Sequence, residues 1–232
     1  MKKNKPYFKL KLALIITFLL AIILFSYVEI VNRNSVNMTY RQKFLKAVYP
    51  AWMWWANIRG TNTKELSNEK ATPPVSIYTL KDSLTDGTLF DFSNLKGKKI
   101  LLVNTASDCG YTNQYADLEK LYRQYKDKLV IIAFPANDFK EQEKNDNHAI
   151  AAFCQKNYGI SFPLMGKSSV VKGPVQNPVF KWLTDAALNG WNNEQPSWNF
   201  CKFLVSEDGR LVNYFASSVE PFAPELINAV KK

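Results

Sequence analysis

The chain has 232 residues, 47% of them hydrophobic, and a net charge of +10 at pH 7. Its single histidine, His148, excludes multi-histidine metal sites and nearly excludes Cys–His or Ser–His catalysis, and three cysteines are too few for a disulfide-rich scaffold. Met1–Ala71 holds 12 Lys and Arg against 3 Asp and Glu, so most of the charge lies beside a hydrophobic segment. That placement favours an anionic membrane surface over nucleic acid as a partner.

The hydrophobic segment Leu12–Val28 carries no charge and follows five lysines. Its length, about 17 residues, is at the lower end of what spans a bilayer as a helix. A cleaved signal peptide is the alternative, but no small-x-small cleavage site follows, so an uncleaved anchor is favoured. We therefore predict a basic tail and one transmembrane helix in residues 1–34. The basic tail indicates a cytoplasmic N-terminus and an extracytoplasmic main domain, which is the periplasm in a bacterium.

Residues 35–73 form a juxtamembrane segment and a linker. Tyr40–Asn57 is rich in Trp and Tyr interleaved with basic residues, and Pro50 is expected to interrupt its helical pattern. This segment either lies in the headgroup layer of a membrane or packs against the folded domain, and the sequence favours neither. Gly60–Pro74 is polar and ends in Thr-Pro-Pro, which is typical of a linker.

The main domain is predicted to span residues 74–232. Hydrophobic periodicity and turn signals indicate its elements in chain order. They are a hairpin of Ser76–Leu80 and Thr88–Phe92, a strand Ile100–Asn104, a helix Thr112–Lys126, a strand Leu129–Phe134, helices Asn147–Tyr158 and Asn177–Leu188, a hairpin of Phe200–Val205 and Leu211–Phe215, and a closing helix Pro221–Val230. This order predicts an α/β domain with a mixed sheet and helices on both faces.

Cys109 follows the first central strand and precedes the first long helix. Unpaired backbone N–H groups and the helix dipole at such a junction stabilise a thiolate, so we expect a reactive cysteine with a lowered pKa. The alternative is a small buried cysteine without chemistry. Asp108, immediately before it, is expected to disfavour the thiolate somewhat.

Four blocks occur in a fixed order: NTASDCGYTNQY around Cys109, FPANDFKEQE, YGISFPL, and WNFCKFLV followed by Asp-Gly. Together they resemble the glutathione peroxidase family, from about Val75 to the C-terminus. The resemblance implies a thioredoxin-like fold of the glutathione peroxidase type, here preceded by one transmembrane helix. It also implies a thiol peroxidase that reduces hydrogen peroxide or organic and lipid hydroperoxides in the response to oxidative stress. No segment resembles the family's oligomerisation loop, so a monomeric catalytic domain is expected.

The resemblance also implies the site residues. Cys109 is the peroxidatic cysteine, and Gln142, Trp198 and Asn199 surround its sulfur as hydrogen-bond donors, with Asn137 as a weaker candidate. Lys140 and Glu141 occupy positions where the family usually has two glycines, so the loop that carries Gln142 is expected to sit differently.

Cys154 corresponds to the resolving cysteine of family members that depend on thioredoxin. The resemblance therefore implies a disulfide between Cys109 and Cys154, reduced by a thioredoxin-like protein or by glutathione, with no metal or other cofactor. Both cysteines are predicted on or beside helices, so forming this bond requires a movement. Cys201 is interpreted as a packing residue of a strand.

Two other functions stay open. A membrane-tethered thiol–disulfide oxidoreductase needs a Cys-x-x-Cys motif, and Thr112 stands at its second cysteine position, which counts against this function. A non-catalytic redox sensor of the same fold is the other alternative, and the altered loop around Gln142 leaves it open.

Overall fold

The structure is a computed structural model that describes residues 5–60 and 64–232. A five-stranded mixed sheet with the order β1-β7-β6-β4-β5 forms its centre, and β4 pairs in parallel with β5 and antiparallel with β6. The strands are β1 Glu65–Ser67, β4 Lys99–Thr105, β5 Leu129–Pro135, β6 Lys202–Val205 and β7 Leu211–Phe215, and a separate hairpin joins β2 Lys81–Ser83 to β3 Leu89–Asp91. β5 forms one edge of the sheet and β4 lies next to it, and both strands are buried along their whole length.

Helices cover both faces of the sheet. They are α3 Gln114–Tyr125, α4 Asn147–Tyr158, α5 Pro178–Leu183, α6 Ala186–Asn189 and α7 Pro224–Lys231. Because successive side chains of a strand point to opposite faces, Leu101 and Val103 of β4 pack with α3, α4 and α7, whereas Ile100 and Leu102 pack with α5. The predicted thioredoxin-like α/β fold is therefore confirmed.

Several predicted elements differ from the structure. Ile77–Thr79 is a 3₁₀ turn, so the first strand of the early hairpin begins only at Lys81, where the chain pairs with Asp91. The predicted helix Asn177–Leu188 is two short helices, because Thr184 ends the first and Asp185 caps the second. The closing helix begins at Pro224, a proline at the first turn, and not at Pro221.

The predicted linker Gly60–Pro74 contains β1. Glu65–Ser67 pairs antiparallel with Asn213–Phe215 of β7 and forms an edge of the central sheet. Backbone hydrogen bonds hold this strand, and only one of its three residues is partly buried. Interpreting the whole segment as a linker was wrong, since an edge strand that buries little side chain leaves a weak hydrophobic pattern.

Two helices precede the sheet: α1 Lys5–Val31 and α2 Tyr40–Ile58. Residues Tyr7–Val31 are long and apolar enough to cross a membrane, by length and composition, and a signal sequence near an N-terminus has the same properties. The end of α1 packs on α2, where Asn32 Nδ2 donates to the Lys43 carbonyl oxygen at 3.0 Å. The two helices therefore meet only where α1 ends and α2 begins.

Pro50 does not interrupt α2, which runs unbroken through it. One face of α2 is buried through Ala47, Tyr49, Met53 and Ala56. On the other face, Trp54 is 64% exposed and Trp55 is 49% exposed. Packing against the folded domain is thus confirmed for the inward face, and this packing holds the turns on either side of the proline. Membrane contact of the outward face stays a prediction.

Candidate active site

Cys109 lies in a tight loop between β4 and α3, not in the first turn of the helix, because α3 begins only at Gln114. The Cys109 N–H donates to Thr112 Oγ1 at 3.0 Å, and Thr112 Oγ1 lies 2.8 Å from the Ala106 carbonyl oxygen that it can donate to. A threonine hydroxyl therefore fixes the loop at the position where a thiol–disulfide oxidoreductase would carry its second cysteine.

Three N–H donors surround the Cys109 sulfur. The backbone N–H of Tyr111 lies 3.4 Å from Sγ, and the polar side chains of Trp198 and Asn199 lie near enough to the sulfur to favour its thiolate. These groups and the positive charge of Arg41 favour the thiolate, but Cys109 is only 2% exposed. Loss of water raises the pKa of the Cys109 thiol overall, so the expectation of a lowered pKa was wrong for this closed arrangement.

Gln142 and Asn199 are joined at the site. Asn199 Nδ2 donates to Gln142 Oε1 at 3.0 Å, and the backbone N–H of Asp108 donates to the Gln142 carbonyl oxygen at 3.0 Å. The structure thus brings Cys109, Gln142, Trp198 and Asn199 together, as the resemblance implied.

The loop that carries Gln142 keeps a backbone shape that favours glycine. Lys140 and Glu141 both have a φ of 51°, in the left-handed region. The family's usual glycines adopt this region without strain, whereas side chains with a Cβ do so at a cost of about 1–2 kcal/mol each. Lys140 and Glu141 therefore add backbone strain to this loop, and a different position of Gln142 from that in the family stays a prediction.

Asn104, at the end of β4, is a positioning residue that the sequence analysis did not single out. Its Nδ2 donates to the Trp198 carbonyl oxygen at 3.0 Å, and its Oδ1 accepts the Cys201 N–H at 3.0 Å. Between these contacts Phe200 has a φ of 69°, a strained conformation for a bulky residue. The signal in the sequence was an asparagine at the end of an apolar run, and the structure buries this residue fully.

Glu143 holds the loop that carries Cys109 through Ser107. It is fully buried and accepts hydrogen bonds from both the N–H and the Oγ of Ser107, each at 2.7 Å. Burial raises the pKa of this carboxyl to about 6. The Asn137 side chain accepts the Glu143 N–H at 2.9 Å, so the described contacts of Asn137 are with this loop and not with the sulfur.

Cys154 lies on α4, where it is 1% exposed and belongs to the same apolar core as Cys109. Burial raises the pKa of its thiol to about 12. Both thiols are free, as is that of Cys201, which lies near the hydroxyls of Tyr214 and Ser217 within the sheet. Among residues 5–60 and 64–232, no group of His, Cys, Asp and Glu side chains is arranged to hold a metal ion.

Comparison with known proteins identifies the family. A glutathione peroxidase profile matches residues 77–184. The chain is 47% identical over 152 residues to the glutathione peroxidase-like peroxiredoxin GPX5 of Chlamydomonas reinhardtii. This alignment covers 64% of this chain and 93% of GPX5. The chain belongs to the glutathione peroxidase family. The glutathione peroxidase homolog BsaA of Staphylococcus aureus strain COL is 42% identical over 147 residues, covering 63% of this chain and 92% of BsaA.

Solved structures agree with this assignment. The crystal structure of Trgpx in its apo form superposes with a TM-score of 0.52 at 34% identity, covering 68% of this chain and 97% of Trgpx. A DsbF homologue from Corynebacterium diphtheriae shares only the fold, with a TM-score of 0.51 at 16% identity, covering 73% of this chain and 92% of that structure. The protein is thus a glutathione peroxidase-like peroxidase whose relatives align with about two thirds of its length.

Proposed function

We propose that Cys109 is the peroxidatic residue of this enzyme. Its thiolate attacks the outer oxygen of a hydroperoxide, the O–O bond breaks, and the sulfur takes one oxygen as a sulfenic acid while the other oxygen leaves as an alcohol or water. The observation that carries this assignment is the set of N–H donors from Tyr111, Trp198 and Asn199 around a single sulfur. These donors stabilise the negative charge on the sulfur without giving it a proton.

Gln142 is proposed to complete the donor set. Its amide oxygen accepts from Asn199, which leaves the Gln142 amide nitrogen free of that bond and able to turn toward the departing oxygen. Trp198 and Asn199 act on the sulfur itself. The four residues Cys109, Gln142, Trp198 and Asn199 are the proposed catalytic group.

Cys154 is proposed to resolve the oxidised enzyme. Its thiolate attacks the Cys109 sulfur of the sulfenic acid, an S–S bond forms, and the oxygen leaves as water. A thioredoxin-like dithiol then reduces the disulfide by exchange and is itself oxidised, and two molecules of glutathione are the alternative reductant. Because Cys154 is buried on α4 with a pKa of about 12, this helix has to loosen or shift before the step.

The N-terminal part is proposed to attach the enzyme to a membrane. Residues 1–34 provide a basic tail and a single-pass anchor, residues 35–73 the juxtamembrane segment together with the edge strand β1, and residues 74–232 the rest of the peroxidase domain. The exposed apolar surface of Tyr7–Val31 and the concentration of positive charge in Met1–Ala71 support this arrangement. An extracytoplasmic, monomeric domain acting on hydrogen peroxide or lipid hydroperoxides during oxidative stress is the physiological setting that we propose.

Turnover by the full chain in detergent micelles tests the cysteine cycle. Peroxide consumption is measured with thioredoxin and its reductase, and separately with glutathione and its reductase. Cys109→Ser is expected to lose both activities. Cys154→Ser is expected to lose the thioredoxin-dependent activity while still forming one sulfenic acid per chain, which a dimedone adduct reveals by mass.

Cys201→Ser is the matched control, since it removes the third buried thiol at a place where hydroxyl neighbours accept a serine. It is expected to behave as the unmodified protein does. Robust turnover by Cys109→Ser would refute the nucleophile, and unchanged thioredoxin-dependent turnover by Cys154→Ser would refute the resolving step. Peroxide oxidation of Cys109 without turnover under either reductant would favour a redox sensor.

A further inference from the structure

The inward face of α2 lies directly on the loop that carries Cys109. Arg41 forms an ion pair with the Asp108 carboxylate and donates from Nη1 to the Asp108 carbonyl oxygen at 2.7 Å. Gln42 Nε2 donates to the Ser107 carbonyl oxygen at 3.1 Å. Ser107 and Asp108, the two residues before Cys109, are therefore both held by α2.

Trp52 covers the other side of the same loop. Its ring lies 4.9 Å from that of Tyr111, centroid to centroid, and a Cβ added to Gly110 would lie 2.7 Å from Trp52 Cζ3. Any larger residue at position 110 would therefore clash with the Trp52 indole, which lies against the backbone. The contacts of α2 flank Cys109 on both sides in the sequence.

Little space remains between α2 and the sulfur. Gln42, Leu45 and Lys46 of α2 share with Cys109 a cavity of about 10 Å³, which is about the size that one water molecule needs. Two larger cavities, of about 510 and 430 Å³, open beside α2, the first lined by Gln42 and Gln142 and the second by Trp52 and Trp198. Cys109 lines neither of them. An organic hydroperoxide therefore fits beside α2 but does not reach the sulfur while the helix is docked.

The helix is an addition to the peroxidase domain. The family profile begins at residue 77, and relatives that align over 90–93% of their own length cover only 62–64% of this chain. The buried face of α2 keeps the helix on the domain, whereas its ion pair at the Cys109 loop is a weak contact. The side chains of Arg41 and Asp108 are 53% and 40% exposed, and exposed ion pairs contribute little to stability.

We propose that α2 is a built-in cover of the active site, and that Trp52 decides which hydroperoxides reach Cys109. With the helix docked, only a molecule close in size to water, such as hydrogen peroxide, has access to the sulfur. Bulky organic hydroperoxides and the protein reductant require α2 to lift from the loop. The inference rests on the proposed role of Cys109 as the nucleophile.

The test compares Trp52→Ala with Trp54→Ala in the full chain in detergent micelles. Both variants remove an indole from the same helix, but Trp54 is on the outward face and 64% exposed. For each protein the ratio of kcat/KM for cumene hydroperoxide to that for hydrogen peroxide is measured. We expect Trp52→Ala to raise this ratio about three- to tenfold, the range that the loss of one aromatic contact gives, and Trp54→Ala to leave it unchanged.

A second measurement does not depend on turnover. The rate at which Cys109 is modified by a bulky maleimide, relative to iodoacetamide, is followed by peptide mass. Trp52→Ala is expected to raise this relative rate, and Arg41→Gln, which frees the other side of the loop, is expected to raise it as well. An unchanged ratio in both variants, or an equal rise in Trp54→Ala, would overturn the cover. Since labelling reports access alone, this result stands apart from any failure of Cys109 to act as a peroxidase nucleophile.

Discussion

The loop that carries Cys109 and the helix that carries Cys154 hide their thiols equally well, at 2% and 1% exposure, but in different surroundings. Around Cys109 lie a backbone N–H, an indole and an amide that favour the thiolate, whereas Cys154 sits on α4 in the apolar core, where burial raises its pKa to about 12. Burial alone therefore does not distinguish the two cysteines. The comparison teaches that the polar surroundings, and not burial, single out Cys109 as the proposed nucleophile, and that the proposed resolving residue Cys154 has to move to react.

The largest expected effect is the contrast in reactivity between the two thiols. In the folded full chain at pH 8, iodoacetamide is expected to modify Cys109 about a hundredfold faster than Cys154, since only a trace of Cys154 is ionised and the thiolate is the nucleophile. Peptide mass mapping over time measures both rates in one sample. In guanidinium the two rates are expected to converge, and similar rates in the folded protein would abolish the distinction.

Removal of one donor is expected to have the next largest effect. Asn199→Ala removes an amide that favours the thiolate, and hydrogen bonds to charged groups are worth about 1.5–3 kcal/mol, so the oxidation of Cys109 is expected to slow about 10- to 100-fold. The pKa read from the pH profile of alkylation is expected to rise as well. Stopped-flow oxidation with one equivalent of peroxide measures the rate. A change below twofold, with an unshifted pH profile, would show that Asn199 does not act on the sulfur.

Glu143, which supports the Cys109 loop, gives a pH-dependent effect of intermediate size. Burial raises its folded pKa to about 6 from 4.5, so the folded state holds a proton that the unfolded chain releases, and stability falls as the pH rises from 4.5 to 6. From pH 4.5 to 7, the unmodified protein is expected to lose about 2 kcal/mol more than Glu143→Gln does.

Denaturant unfolding of the full chain in detergent at both pH values measures the difference. Glu141→Gln is the control, because the neighbouring Glu141 side chain is 72% exposed, and it is expected to track the unmodified protein. Identical pH dependence in Glu143→Gln and the unmodified protein would mean that the buried carboxyl does not hold its proton.

The smallest effect concerns the strained loop beside Gln142. Lys140→Gly and Glu141→Gly are each expected to stabilise the protein by about 0.5–1 kcal/mol, since glycine adopts a φ of 51° freely but loses more freedom on folding. Denaturant unfolding measures the gain. Lys144→Gly, in the same loop but outside the left-handed region, is expected to destabilise the protein, and the same sign in all three variants would remove strain as the explanation.

Much of the peroxidase domain could be predicted from the sequence. The strand predicted at Ile100–Asn104 extends by one residue at each end, and the helix Asn147–Tyr158 has the predicted bounds. Apolar runs and helical periodicity are local signals that survive because the same side chains form the core. The ordered blocks around Cys109, Gln142 and Trp198 also pointed to residues that the structure brings together.

The sequence by itself determined the family, most of the strands and helices of the main domain, and the cysteine that we propose as reactive, because each is recorded in local residue patterns. Only the tertiary structure decided the pKa of Cys109, the role of Asn104 and the place of α2, because each depends on contacts between distant segments. Trp52 and Cys109 are far apart along the chain, and nothing in either segment alone indicates that one covers the loop of the other. The desolvation of a group depends on which residues pack over it, and those residues come together only when the chain folds.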